Sequence, residues 1–176
     1  MRLLVEARPG AGKTTALLTL SQLLRDAGVA LCGFLTRELR EGRGRVGFEI
    51  ETFDGERALL AHVSLPGPPR VGRYGVDLDA FDRVALSAIR RTTADSVVLI
   101  DELGKMELAS ERFREAVTAV FDQRVPVVAS VQMGRHPVSD SLKRRPDVEM
   151  LRLTAGNRDR LPRELAQRLG VSARAS

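Results

Sequence analysis

The chain has little of what would point to several common function classes. It has one cysteine, Cys32, so no internal disulfide can form. Within the run VALCGFL that residue reads as a small core hydrophobe, and a reducing cytoplasm is the expected compartment. There is no tryptophan, one tyrosine and only two histidines. Neither His62 nor His136 has a partner at metal-ligand spacing, so no zinc site is expected, and no nucleophile triad is visible. No apolar run approaches the ~18 residues that cross a bilayer. The opening MRLLVEARPG places Glu6 and Arg8 after only three apolar residues, so no secretory signal is expected. Lysine is scarce too: only Lys13, Lys105 and Lys143 among 28 basic residues. The arginines are scattered and form no tract of five or more, so the net charge of +5 does not by itself indicate a nucleic-acid surface. If one existed, Arg43, Arg45, Arg70, Arg73, Arg90 and Arg91 would be the place to look.

What is present is an ordinary globular composition, 43% hydrophobic over 176 residues, which suggests a single domain. The periodicities alternate between strand and helix, the signature of an α/β domain. Leu3 to Val5 reads as a short apolar strand, and a helix is expected from about Lys13 to Ala27, with Gly28 as its stop. Val29 to Leu35 reads as a second strand. In RVGFEIETF, Val46, Phe48 and Ile50 alternate with Gly47, Glu49 and Glu51, so residues 35–63 are expected to form an antiparallel hairpin or meander inserted into the α/β order. The Pro- and Gly-rich stretch 64–77 reads as a loop. Asp79 and Ser110 are expected to cap two amphipathic helices. Ser96–Ile100, Val125–Val131 and Val148–Leu153 read as further strands, and Pro162 as the first residue of a closing helix. About five parallel strands would present their C-terminal ends on one edge.

The most informative segment is Ala7-Arg-Pro-Gly-Ala-Gly-Lys-Thr14, between an apolar strand and a helix. Backbone N–H groups of such a loop can surround a phosphate, and the helix N-terminus adds partial positive charge. Gly10 and Gly12 permit the turns and the close approach that a side chain would block. Arg8, Pro9, Gly10, Ala11, Gly12, Lys13, Thr14 and Thr15 are therefore the expected nucleotide-binding residues. Lys13 would reach the β- and γ-phosphates, and Thr14 would offer its hydroxyl to Mg²⁺. The pattern departs from G-x-x-x-x-G-K-[ST] at its first position, where Ala7 stands in place of glycine.

A second apolar strand, Ser96-Val-Val-Leu-Ile-Asp101-Glu102, ends in two acids. Asp101 is expected to hold Mg²⁺ opposite Thr14. Glu102 would lie near the γ-phosphate as the general base for water. Lys105 could neutralise charge on the phosphates, and Arg135 could serve as an arginine finger in cis; Gln132 could sense the γ-phosphate or hold water.

Five segments carry a resemblance: ARPGAGKTT, GFLTRELREGRGRVGFEIETFDG, VGRYGVDLDAF, VLIDELGKMEL and LKRRPDVEMLRLTAGNRD. Together they resemble the small P-loop nucleoside-triphosphatase family, the cancer-related nucleoside-triphosphatases with thermophile members. The resemblance is collinear over nearly the whole chain. It implies one domain over 1–176 with a three-layer α/β/α P-loop fold, a mostly parallel sheet and an antiparallel hairpin region. It also implies slow Mg²⁺-dependent hydrolysis of ATP, GTP and other nucleoside triphosphates. Glu6 and Ala7 depart from the family, whose members commonly carry Thr-Gly there. A small kinase with the 64–77 loop as lid, and a nucleotide-gated switch on RNA or protein, are the alternatives. A monomer is expected, with nucleoside triphosphates as partners, no membrane association, and nucleic acid not indicated.

Overall fold

Every apolar run read as a strand joins one nine-stranded sheet in the computed structural model, which describes residues 1–171. The strands are β1 (Arg2–Ala7), β2 (Ala30–Glu41), β3 (Gly44–Thr52), β4 (Arg57–His62), β5 (Arg70–Val71), β6 (Tyr74–Val76), β7 (Ser96–Leu103), β8 (Val127–Gln132) and β9 (Glu149–Arg152). The helices are α1 (Lys13–Asp26), α2 (Leu78–Arg90), α3 (Glu111–Asp122), α4 (Pro137–Lys143) and α5 (Leu161–Arg168). The spatial order is β5-β6-β4-β3-β2-β7-β8-β1-β9. β2, β7, β8, β1 and β9 are mutually parallel, and β3 to β6 extend the sheet antiparallel beyond β2.

Side chains alternate across a strand, so each parallel strand feeds both faces. Leu3 and Val5 of β1, with Val97 and Leu99 of β7, pack under α1 and α5. Leu4, Val98 and Ile100 point the other way, toward the helical residues Phe81, Val84, Phe113 and Val117. There Phe34, Phe81 and Phe113 meet at centroid separations of 4.9 to 5.8 Å, all fully buried. Each such ring removed from water stabilises the fold by about 2 kcal/mol. Cys32 is half-buried beside this cluster, with Sγ 3.4 Å from the Arg91 carbonyl.

Several boundaries differ from the sequence expectation. The strand expected at 29–35 and the first arm of the meander are one element, because β2 runs unbroken for 12 residues and pairs with β7 along one half and β3 along the other. The 64–77 stretch is not all loop: Arg70–Val71 and Tyr74–Val76 pair as a small hairpin on the sheet edge. Glycine and proline hid it, being weak strand formers. Asp77, not Asp79, caps α2, accepting from the Ala80 N–H at 2.9 Å; Asp79 lies in the first turn, where an acid also suits the helix dipole. Ser110 caps α3 as expected. α4 was not foreseen, since seven residues are too few to show a helical period. Pro162 is the second residue of α5, not the first.

Gly33 shows how closely β2 and β7 lie. Its φ is +99°, and a Cβ there would stand 2.0 Å from the Leu99 carbonyl oxygen. Gly33→Ala must therefore strain the central sheet, and we expect it to destabilise the protein by about 3 kcal/mol or more. Urea denaturation should show the midpoint falling with an unchanged slope.

Candidate active site

The phosphate loop leaves the C-terminal end of β1. Ala7 is still a strand residue, paired with Gln132 and 1% exposed. Among the described residues only glycines have positive φ, so alanine in place of the first pattern glycine carries no such strain. The turning is done by Gly10, at φ 76°, and Gly12, at φ 93°. Gly12 is also the N-cap of α1, and no side chain caps the helix. The first-turn N–H groups are thus left for an anion, as the dipole favours.

Opposite the loop stands the end of β7. β8 lies between β7 and β1 in the sheet and supplies the groups that hold both acids. Asp101 is 1% exposed; its Oδ2 accepts from the Thr14 hydroxyl at 2.5 Å, and its Oδ1 accepts from the Ser130 hydroxyl of β8. The Thr36 hydroxyl of β2 donates to the Asp101 carbonyl. Burial pushes the Asp101 carboxyl up to about 6, against the two hydroxyl hydrogen bonds that favour its ionised form. Glu102 follows through a cis peptide bond. Its carboxylate lies 3.2 Å from Lys13 Nζ and accepts from the Gln132 amide of β8. Successive strand residues normally point to opposite faces, yet both acids line the same cleft. The β7–β8 register is broken between Ile100 and Leu103, just where they stand.

A third acid completes the cluster. Glu107 is 3% exposed, and burial, reinforced by the negative charge of Glu102, pushes its carboxyl up to about 8. Gly104 makes room between them: a Cβ there would lie 2.8 Å from both Glu102 Oε1 and Glu107 Oε2. The cleft has a volume of about 560 Å³. It runs from Pro9, Gly10 and Lys13 past the acids to Arg37, Arg45 and Phe48 of the hairpin region.

With this geometry in view, the comparisons with known proteins are decisive. A family model described as NTPase matches residues 2–166. The chain belongs to the NTPase family. It is 41% identical to the nucleoside-triphosphatase THEP1 of Thermotoga maritima, over 94% of this chain and 93% of that protein. It is 37% identical to the human cancer-related nucleoside-triphosphatase, over 87% and 88%. The crystal structure of THEP1 from Aquifex aeolicus is similar with a TM-score of 0.86 and 31% identity, covering 96% of this chain and 99% of that one. The solution structure of the human protein gives 0.84 and 33%, covering 98% and 99%. The expected three-layer P-loop fold is therefore shown, and this chain is an enzyme of the nucleoside-triphosphatase kind.

In this NTPase the structure gathers Pro9, Gly10, Gly12, Lys13, Thr14, Thr15, Asp101, Glu102, Lys105 and Gln132 around one cleft. It does not bring Arg135 there: that residue is exposed in the loop before α4 and lines neither cavity. Arg8 and Ala11 face a separate, smaller cavity. Ser130, Thr36 and Glu107 were not singled out as site residues from sequence. For Ser130 a signal existed: a hydroxyl in the middle of an apolar strand needs a buried partner. Asn157 is engaged in a turn. Its side chain accepts from the Thr154 N–H at 2.7 Å and donates to the Arg152 carbonyl at 2.8 Å. Among the described residues no helix is long and apolar enough to cross a membrane.

The raised Glu107 carboxyl makes a pH prediction. The folded state holds its proton up to about 8, whereas an unfolded chain releases it near 4.5. The folded form therefore binds the extra proton in that window, and its stability falls as pH rises through it. Glu107→Gln keeps the shape and removes the titration. Its melting temperature should exceed that of the wild type by an amount that widens from pH 4.5 to about 8 and then levels at roughly 10 °C or more. Differential scanning fluorimetry across pH reads the gap directly.

Proposed function

We propose that the enzyme binds a nucleoside triphosphate with Mg²⁺ and hydrolyses it to the diphosphate and phosphate, with slow turnover and broad base tolerance. The observation that carries this reading is Glu102, held 3.2 Å from Lys13 and beside Asp101 at the mouth of the phosphate loop. A nucleotide switch needs the carboxylate that faces the metal; it has no use for a second, oriented acid at the γ-phosphate position. The Gln132 amide fixes Glu102, so one oxygen is directed while the other faces Lys13. When the γ-phosphate arrives, Lys13 exchanges its carboxylate partner for phosphate oxygens. Glu102 is then free to take a proton from an attacking water. Loop N–H groups and Lys13 stabilise the charge spread over the departing phosphoryl group.

The donor set suits Mg²⁺. Thr14 and Asp101 are adjacent oxygen donors, and Asp101 is a desolvated carboxylate whose electrostatic complement is a divalent cation. Thr14 and Asp101 would hold the ion, which would supply positive charge against the charge developing on the phosphates. Slow turnover follows from the cations lining the cleft. Arg37 and Arg45 are paired with Glu51 and Glu38, and Arg135 lies elsewhere, which leaves Lys105 as the candidate finger. An arginine finger in place is worth about 10³–10⁵ in rate.

One observation favours a second reading, phosphoryl transfer to an acceptor: the cleft continues past the acids to Arg37, Arg45 and Phe48, space that an acceptor could occupy. A phosphate-release assay over ATP, GTP, CTP and UTP with Mg²⁺, with and without nucleosides and nucleoside monophosphates, separates the two. We expect release from all four, unchanged by acceptors. Glu102→Gln should lower kcat by about 100-fold or more while nucleotide binding persists. Release from that variant at the wild-type rate would remove the general-base role.

A further inference from the structure

β1 is apolar from Leu3 to Val5 and then carries an acid, Glu6, just before the phosphate loop. Alternation puts Glu6 on the same face as Leu4, the face on which α4 seats Leu142, 3% exposed. A carboxylate there needs a partner, because burial without one is costly. The partner is Lys143, the last residue of α4, whose Nζ lies 2.6 Å from Glu6 Oε1. The two side chains are 17% and 24% exposed, so solvent screens them less than a surface pair. Lys143 Nζ makes a second bond, donating to the Gln132 carbonyl at 3.3 Å. Neither Glu6 nor Lys143 lines the large cleft.

We propose that Lys143 is a positioning residue for the reaction: anchored on Glu6, it fixes the end of β8 so that the Gln132 amide aims Glu102 at the attacking water. The inference rests on the general-base reading of Glu102 given above. Gln132 is the last residue of β8, where the ladder to β1 stops. Strand ends open locally unless something beyond the ladder holds them. The Lys143 ammonium is such a hold, and it acts on the backbone of the residue whose side chain meets the base. Glu102 depends on that side chain, because the β7–β8 register is broken where Glu102 stands. Its Oε1 accepts from the Gln132 amide, and its Oε2 faces Lys13 at 3.2 Å. The contacts form a ring from Glu6 through Lys143, Gln132 and Glu102 to Lys13, closed by the phosphate loop itself. The ring matters most when it opens. Once Lys13 turns to the γ-phosphate, Gln132 is the one of these two contacts left to orient Glu102. A misplacement of about 1 Å can cost about 100-fold in rate, so a small movement of the β8 end is enough to register in kcat.

The competing role for Lys143 is a staple that contributes stability and nothing more. Phosphate release from ATP with Mg²⁺, nucleotide binding by calorimetry and thermal melting separate the two. Lys143→Met removes the ammonium and keeps most of the side-chain length. We expect its kcat to fall about tenfold, with the ATP Kd changed by less than about twofold, because the residue is outside the cleft. Lys143→Arg keeps the charge and the donors and should stay within about threefold of the wild type. Gln132→Ala should itself lower kcat by about tenfold. Adding Lys143→Met to it should cost less than about twofold more, since the residue through which Lys143 acts is gone. Should Lys143→Met fail to fold, Glu6→Gln/Lys143→Met leaves no orphaned charge and reads the same loss of kcat. Arg168→Met is the stability comparison: Arg168 is a half-buried cation paired with Glu164 at 2.8 Å and with Glu149, away from the cleft. Its melting temperature should fall while kcat stays within about twofold of the wild type. Three results would overturn the proposal: wild-type kcat in Lys143→Met, a Lys143 effect undiminished in the Gln132→Ala background, or an equal loss of kcat in Arg168→Met. The general-base reading fails on a different observation, Glu102→Gln turning over at the wild-type rate. Wild-type kcat in Lys143→Met beside an inactive Glu102→Gln defeats the positioning role alone.

Discussion

The Asp101 carboxylate is where the separate parts of this enzyme are tied together. Its two oxygens accept hydroxyl hydrogen bonds from Thr14 at the start of α1 and from Ser130 on β8, while its backbone carbonyl takes a third from Thr36 on β2. Three elements distant in the chain are thus fastened to one residue at the C-terminal edge of the sheet. Burying a carboxylate is costly, and the raised proton affinity of Asp101 records that cost. The hydroxyls offset part of it, and a divalent cation shared with substrate phosphates would offset more. A carboxylate this expensive to bury is poorly explained by stability, and the cation proposed for this site would be its electrostatic complement.

The second consequence comes from β8, the strand inserted between the phosphate-loop strand and the acidic strand. Ser130 and Gln132 on its C-terminal half reach Asp101 and Glu102 respectively. β8 therefore spaces the loop from the acids and orients them as well. Its end is secured from the far side by Lys143, which bonds Glu6 at 2.6 Å and the Gln132 carbonyl at 3.3 Å. In a chain that otherwise uses arginine, each of the three lysines stands at this edge: Lys13 and Lys105 in the cleft, Lys143 behind it. Compact ammonium groups suit places where a single oxygen must be met in a confined space.

Much of this was legible beforehand because it is local. The strand–loop–helix order, the glycines, and the hydroxyl after the loop lysine follow one another in sequence, and the helix N-terminus makes their chemistry. The acidic pair was visible as the end of an apolar run. The meander was visible as strict alternation over residues 46–51. What escaped was short or cooperative. α4 has too few residues for a period, and the small edge hairpin exists only because β4 offers it a partner. Arg135 looked like a finger because a loop after a central strand usually faces the ligand; here it is exposed, two residues before α4, and lines neither cavity.

The sequence by itself determined that a phosphate-type loop with Lys13 and Thr14 opens the first helix, that a second apolar strand ends in the acids Asp101 and Glu102, and that the fold is α/β. Those properties depend on neighbours along the chain and on the period of the apolar residues. Only the tertiary structure decided that β8 separates the two strands, that a third acid, Glu107, shares the site across Gly104, and that the loop divides a polar cleft from an apolar cavity. Strand order and cavity walls arise from residues brought together across more than a hundred positions, and no local pattern encodes which side chains will meet there. The alanine in place of the first loop glycine is a case in point. What makes it harmless is its place as the last paired residue of β1, where its φ is not positive.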